Sequence, residues 1–85
     1  MFTDIAGFTA YAAARGDRAA ARLVHQHDAA VLPAIRRYSG RILKRLGDGL
    51  MAVFSSPGAA LGAALEMRQA ARGVRLRIGI HAGPA

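Results

Sequence analysis

Hydrophobic residues recur every three or four positions in two stretches of the chain, and this spacing predicts two amphipathic helices. The first is long, with Asp17 as its expected N-cap and Ser39-Gly40 as its end. Its predicted buried face consists of Val24, His27, Val31, Ala34, Ile35 and Tyr38. Pro33 lies inside this pattern and is expected to kink the helix rather than end it, because the periodicity continues past it.

The second periodic stretch follows Ser56, a favourable N-cap, and has Pro57 at its first helical position. Gly73 is expected to stop this helix. Its predicted buried stripe consists of Leu61, Ala64, Leu65 and Ala71. A shorter helix is predicted over residues 8–14, after a tight turn at Gly7.

Four short segments read as β-strands: residues 1–5, 41–46, 50–54 and 74–80. The last of them alternates Val74, Leu76, Ile78 and Ile80 with less apolar residues, as a half-buried strand does. The sequence Gly47-Asp48-Gly49 suits a hairpin turn. The element order is that of a ferredoxin-like βαββαβ fold, a two-layer α+β sandwich. In that topology the first and third strands lie side by side and antiparallel, which places Asp4 next to Asp48.

Length and composition allow one domain, residues 1–85, and exclude several kinds of chemistry. The absence of cysteine excludes disulfides, thiolate zinc sites and a cysteine nucleophile. No adjacent, partnered base supports nucleophilic catalysis by the hydroxyl side chains, namely Thr9, Ser39, Ser55 and Ser56. Apolar runs are short and no secretory pattern opens the chain, so we expect no membrane segment and a cytoplasmic location. The net charge of +7 would attract anionic partners, but the arginines are spread along the chain, and a solvated basic surface is the favoured explanation.

The two aspartates at neighbouring strand ends are candidate ligands for hard cations such as Mg²⁺. After Asp4, Gly7 would let the backbone approach a phosphate at the start of a helix. Two structural alternatives stay open, with Asp4 as a helix cap and Asp48 as an ordinary turn residue. Lys44 lies four residues before Asp48, roughly 13 Å along an extended strand, too far to reach a cation bound there. Packed or solvent-facing roles are expected for the three histidines, His25, His27 and His81.

Three segments resemble the class III adenylate and guanylate cyclase catalytic domain. Residues 2–9 (FTDIAGFT) resemble its first metal motif, and residues 40–54 (GRILKRLGDGLMAVF) resemble its second. Residues 77–83 (RIGIHAG) resemble the strand that follows. The three occur in the family's order and with similar spacing, and the resemblance covers essentially the whole chain, corresponding to the N-terminal half of the domain.

The resemblance implies roles for particular residues. Asp4 and Asp48 match the aspartates that bind two Mg²⁺ or Mn²⁺ ions, and Ile5 matches a position whose backbone carbonyl adds a ligand. The matches to the segment whose backbone contacts the triphosphate are Gly7, Phe8 and Thr9. Lys44 matches the position that reads the purine, where lysine suits adenine and guanylate cyclases usually carry glutamate. The family works as a head-to-tail dimer that divides metal binding and purine recognition between its subunits.

The implied reaction converts ATP to 3′,5′-cyclic AMP and pyrophosphate for intracellular signalling, with guanylate cyclase activity less favoured. Family residues that act on the ribose and the transition state have no counterpart here, and Pro84 lies near a place where some members carry a phosphate-contacting arginine. We therefore expect little or no activity from these 85 residues alone. One alternative is a metal–ATP-binding or regulatory module that pairs with another cyclase chain. Another is a basic RNA-binding domain, disfavoured because Phe2 and Phe54 lack interleaved basic residues, so no nucleic-acid partner is expected.

Overall fold

The computed structural model describes residues 1–82, and the Gly83 and Pro84 positions discussed above lie outside that range. Seven elements follow one another along the chain. They are β1 (Phe2–Ile5), α1 (Phe8–Arg15), α2 (Asp17–Arg37), β2 (Arg41–Leu46), β3 (Gly49–Val53), α3 (Pro57–Ala70) and β4 (Leu76–Gly79). The predicted elements are therefore all present, and α2 continues through Pro33 as expected.

The four strands form one antiparallel sheet in the order β2-β3-β1-β4. β1 and β3 are adjacent in the middle of the sheet, as the sequence predicted, with Thr3 opposite Leu50. β4 pairs with the other side of β1 and places Arg77 opposite Asp4. The fold is thus α+β, and the ends of β1 and β3 that carry the two aspartates lie together.

The core lies between the sheet and the two longer helices. Its fully buried members come from α2, β3 and α3: Val31, Ala34, Ile35, Leu50, Ala52, Ala63 and Met67. Thr3 and Ile5 of β1 point to the same side and are buried, whereas Phe2 is 49% exposed. This alternation leaves an open sheet face, which carries Asp4 on β1 and its register partner Arg77 on β4.

The predicted buried stripe of α3 is wrong at both leucines. Leu61 and Leu65 are 54% and 51% exposed, and the buried residues are Ala60, Ala63, Ala64 and Met67. Both stripes have helical spacing, and the alanine stripe lets α3 approach its neighbours more closely than leucine side chains would. Of the predicted stripe, Ala64 is buried and Ala71 is half-buried beyond the helix end.

Three further boundary predictions need correction. Asp17 is the first helical residue of α2 and not its N-cap, because Gly16 occupies the cap position with φ 87° and ψ 175°. Gly73 does not stop α3, because the helix ends at Ala70 and Ala71 is its C-cap. Ile80 is exposed and lies just beyond β4, and Val74 lies before it, so the half-buried alternation within the strand is limited to Leu76 and Ile78.

Within residues 1–82, no helix combines the length and the hydrophobicity needed to cross a lipid bilayer.

Candidate functional site

Asp48 ties the β2–β3 hairpin turn to the end of β1. The turn has Gly47 in the left-handed region, with φ 57°, and β3 starts directly after Asp48. The backbone N–H of Ile5 donates a hydrogen bond of 2.7 Å to Asp48 Oδ2. Asp48 is therefore more than a turn residue, because its carboxylate reaches across to the strand that carries Asp4.

Asp4 lies on the open sheet face, where its carboxylate is paired with Arg77. Arg77 Nε donates to Asp4 Oδ1 at 2.7 Å, and Nη2 donates to Oδ2 at 2.9 Å, so the contact is bidentate. The Asp4 side chain is 24% exposed and that of Arg77 is 64% exposed. The hydrogen bond from Arg77 and its charge lower the pKa of Asp4 below the ordinary carboxyl value, against a smaller opposing effect of burial.

The segment after Asp4 turns sharply into α1. Gly7 adopts φ 71° and ψ 17°, and it is the N-cap of the helix without any side-chain cap. Asp4 therefore does not cap α1, which removes that structural alternative. The Ala6 N–H donates to the Arg75 carbonyl at 2.8 Å, so the turn is fastened to the approach to β4. Gly7 and Thr9 are exposed and Phe8 is half-buried, which leaves the helix start accessible.

Lys44 is not brought to the aspartates. It lies on β2 opposite Met51, next to a register irregularity between Ile42 and Lys44, and it is exposed. β2 is an edge strand, and β3 lies between it and β1. Lys44 is therefore two strand spacings, about 10 Å, from the strand that carries Asp4. Within one chain, Lys44 and the aspartates do not form a single contact site.

A buried polar network that sequence reasoning missed lies beneath the site. His27 is fully buried; its Nε2 is 2.8 Å from Thr3 Oγ1 and its Nδ1 is 2.9 Å from Asp28 Oδ1. Arg45 of β2 donates to the other oxygen of Asp28 at 2.7 Å. Burial raises the pKa of Asp28, but the hydrogen bonds from His27 and Arg45 together outweigh it and lower that pKa. The available signals were a histidine at the centre of a buried helical face and a threonine at an inward strand position.

The other histidines and the candidate RNA-contacting aromatics are scattered. His25 and His81 are both exposed. Phe2 is exposed on the sheet and its ring lies over Gly79, whereas Phe54 packs against the core. The exposed aromatics of residues 1–82 therefore do not form a continuous platform for stacking bases.

A cleft of about 530 Å³ lies at the opposite end of the sheet from the aspartates. It is bordered by the first residue of the chain, by Arg41 and Phe54, by the start of α3 and by His81. Neither aspartate nor any residue of the turn before α1 lines it. Size alone therefore does not identify the candidate site, and the carboxylates indicate the other end of the sheet.

The donor set at Asp4 and Asp48 suits a hard divalent cation. Carboxylate oxygens are ligands that Mg²⁺ and Mn²⁺ prefer, and one or two of them suffice when phosphate and water complete the shell. Asp48 uses Oδ2 for the Ile5 N–H, and its Oδ1 has no hydrogen-bond partner among residues 1–82. No group of three or more His, Asp or Glu ligands occurs in that range, so protein side chains there do not enclose a cation completely.

Comparison with known proteins gives a partial relationship. No family model matches the chain. A curated protein of Myxococcus xanthus, described as serine/threonine-protein kinase pkn2, is 34% identical over 68 residues. The match covers 80% of this chain and 8% of the relative, so the chain spans a small part of that protein's length.

Proposed function

We propose that this chain supplies the metal- and phosphate-binding part of a class III adenylate cyclase catalytic domain with ferredoxin-like topology. The observation that carries the proposal is the hydrogen bond from the Ile5 N–H to Asp48, which holds the second carboxylate beside the strand that bears Asp4. Ile5 and Asp48 are 43 residues apart along the chain, and the sheet brings the two motifs that contain them together. The substrate class is a metal–nucleoside triphosphate, with ATP as the proposed substrate.

The distribution of charge favours a local cation-binding site over a uniformly basic surface that only attracts anions. The chain has 12 basic and 5 acidic residues, and two of those five are the aspartates at this end of the sheet. Asp28 and Glu66 are paired with arginines elsewhere; at this site Asp4 pairs with Arg77, whereas Asp48 forms no ion pair within residues 1–82. A small acidic site on a protein of net charge +7 can bind a cation locally while the overall field attracts a polyphosphate.

Each part of the site has a defined task in the proposed chemistry. Asp4 and Asp48 would hold the divalent ions, with Ile5 contributing a backbone ligand, and these ions would activate the ribose 3′-hydroxyl and neutralise the pyrophosphate leaving group. The N–H groups at the start of α1, which no side chain caps, would contact the triphosphate where Gly7 allows close approach. Asp48 additionally fixes the end of β1 through the Ile5 N–H, which orients Asp4 relative to the turn.

The position of Lys44 supports a paired arrangement of two chains. Lys44 would read the purine of a nucleotide bound by the aspartates of another chain, because it is too far from those of its own. The open sheet face that carries Lys44 also exposes large apolar side chains, among them Phe2 and Val53, which a second sheet would cover. A head-to-tail homodimer or a pairing with another cyclase chain is therefore part of the proposal.

The test is calorimetric titration of the chain with Mn²⁺–ATP. We expect saturable binding that requires the metal, and we expect it to be lost in Asp48→Asn. This variant keeps an oxygen that can accept from the Ile5 N–H but removes the carboxylate charge, so it separates metal binding from the structural tie. Glu66→Gln is the matched control, since it removes an acidic residue that pairs with Arg37 on the helical layer.

The outcomes discriminate between the proposed role, an incorrect assignment of Asp48 and a non-catalytic regulatory module. Binding in the wild type and in Glu66→Gln, together with loss in Asp48→Asn, supports the proposal. Equal binding in all three would refute the assignment of Asp48. Binding without cyclic AMP formation, even in the presence of a complementary cyclase chain, would favour the non-catalytic regulatory module. The chain contains neither the His-Arg-Asp nor the Asp-Phe-Gly sequence typical of protein-kinase catalytic domains, so its residues do not favour the activity named for the relative.

A further inference from the structure

Arg77 occupies both oxygens of the carboxylate that the proposed function assigns to a metal ion. Its Nε and Nη2 each donate to a different oxygen of Asp4, at 2.7 and 2.9 Å. This pair of hydrogen bonds, the Arg77 fork, therefore covers the face of Asp4 that a cation would approach in a bidentate or bridging mode.

A guanidinium and a divalent cation have opposing requirements at this position. Both need the negative charge of Asp4, and their own charges repel each other at short range. A metal ion that binds Asp4 must therefore take at least one oxygen from the fork and weaken the pair. Arg77 can yield without a change of the backbone, because its side chain is 64% exposed and carries several rotatable bonds.

We propose that Arg77 is the resident counter-ion of Asp4 and that a divalent cation displaces it, so that Arg77 sets the cation affinity of the site. This inference rests on the proposed function, in which Asp4 is a metal ligand. In the absence of metal, the guanidinium neutralises the carboxylate of Asp4, which would otherwise lie unpaired at the same end of the sheet as Asp48. On metal binding, the guanidinium is released towards solvent on the open face of the sheet, where an anionic ligand can accept its hydrogen bonds.

The experiment compares Mn²⁺ affinity, without nucleotide, in the wild type, Arg77→Gln and Arg77→Lys. Arg77→Gln removes the charge and the bidentate contact, and its Kd for Mn²⁺ is expected to fall about two- to fivefold, the range expected for loss of a partly exposed competing charge. Arg77→Lys retains the charge without the fork and is expected to lie between the two. Arg68→Gln, an exposed change on α3, controls for the general effect of lowering net charge.

A second measurement follows Arg77 directly. The Nε–H resonance of Arg77 in ¹⁵N-labelled protein should show protection from exchange with water in the metal-free state, because Nε donates to Asp4. Titration with diamagnetic Mg²⁺ should shift this resonance and remove its protection. The same titration should leave the resonance unchanged in Asp48→Asn, which lacks one of the two metal ligands.

The results separate this inference from the proposed function. If the wild type binds Mn²⁺ in an Asp48-dependent way but Arg77→Gln binds it no more tightly, the counter-ion role is wrong and the metal site stands. If Arg68→Gln tightens binding as much as Arg77→Gln does, the effect is one of net charge and the inference is again overturned. If neither the wild type nor Arg77→Gln binds Mn²⁺, the metal site itself is wrong and this inference falls with it.

Discussion

The hydroxyl of Thr3 and the ring of His27 meet in the interior of the protein, with Oγ1 and Nε2 2.8 Å apart. Thr3 is on β1 directly before Asp4, and His27 is on α2. The contact therefore joins the strand that carries the candidate metal ligand Asp4 to the helical layer. The same ring contacts Asp28, which in turn accepts from Arg45 of β2. If Nδ1 carries the proton, the ring donates to Asp28 and accepts from Thr3, which gives both ring nitrogens a partner.

Replacing His27 should therefore destabilise the fold strongly. His27→Ala removes a fully buried ring, leaves a cavity and deprives both Thr3 and Asp28 of a partner. We expect a loss of about 3–4 kcal/mol in the free energy of unfolding, measured by urea denaturation.

His25 provides the matched control for this experiment. It lies two residues earlier on the same helix and is exposed, so His25→Ala should change stability by less than about 0.5 kcal/mol. Thr3→Val keeps the shape of the side chain but leaves Nε2 of the His27 ring without its partner, and should cost about 1–3 kcal/mol. Equal effects of His27→Ala and His25→Ala would show that the buried network does not stabilise the protein.

Gly49, which follows Asp48 and begins β3, lies close against the backbone of β1. A Cβ atom at this position would overlap the backbone oxygen of Thr3 and lie 3.0 Å from the Cα of Asp4. Backbone atoms cannot move aside as a flexible side chain can, so Gly49→Ala should separate β1 from β3. We expect it to cost about 2–4 kcal/mol of stability and to weaken Mn²⁺ binding.

Gly58 is the corresponding control for the loss of a glycine. It lies in the first turn of α3, and the nearest atom to an added Cβ is 3.9 Å away. Gly58→Ala should therefore leave stability unchanged or raise it by up to about 1 kcal/mol, because alanine favours helix. A Gly49→Ala variant as stable as Gly58→Ala would contradict the close strand contact.

The orientation of α3 can be tested with two substitutions of similar size. Met67 is fully buried, and Met67→Ala should cost about 2–5 kcal/mol in unfolding free energy. Leu65, two residues earlier, is half exposed, and Leu65→Ala should cost less than about 1 kcal/mol. The reverse ranking in urea denaturation would show that the leucine stripe faces the core.

This helix also shows where sequence periodicity reaches its limit. Hydrophobic spacing predicted α3 correctly, and the pair Ser56 and Pro57 located its start, since Ser56 Oγ accepts from the Ala59 N–H at 3.1 Å. It did not predict the buried face, because an alanine-rich helix has more than one stripe with helical spacing. The choice between the stripes depends on how closely the neighbouring helix and sheet approach, which no local pattern encodes.

The candidate site was predictable to a similar extent. The alternation of strands and the Gly-Asp-Gly turn were enough to place Asp48 beside the end of β1. The Arg77 fork was not predicted, although Arg77 was part of a quoted motif, because it depends on the register of β4 against β1. That register is set by tertiary pairing, and a shift of one residue would move Arg77 to the other sheet face.

The pair of Asp4 and Arg77 should give the protein a measurable acid sensitivity. The hydrogen bond and charge of Arg77 lower the pKa of Asp4 in the folded state relative to the ordinary carboxyl value of 3.8. At pH values between the lowered pKa of folded Asp4 and 3.8, the folded protein binds fewer protons than the unfolded chain. The stabilisation of the folded state by the Asp4–Arg77 pair is therefore complete at pH values above the ordinary carboxyl pKa. It is lost as the pH falls through the lowered pKa of the folded state.

Arg77→Gln tests this linkage. In this variant the pKa of Asp4, followed by ¹³C carboxyl resonances, should rise towards its ordinary value, whereas Arg68→Gln should leave it in place. The stability difference between the wild type and Arg77→Gln should be present at about pH 6 and should shrink once the pH falls below the ordinary carboxyl value, because protonated Asp4 no longer pairs with the guanidinium. An unchanged pKa of Asp4 in Arg77→Gln would mean that the fork is not populated in solution. The carboxylate would then be open to a cation without displacement of Arg77, and the Mn²⁺ affinities of the two proteins should coincide.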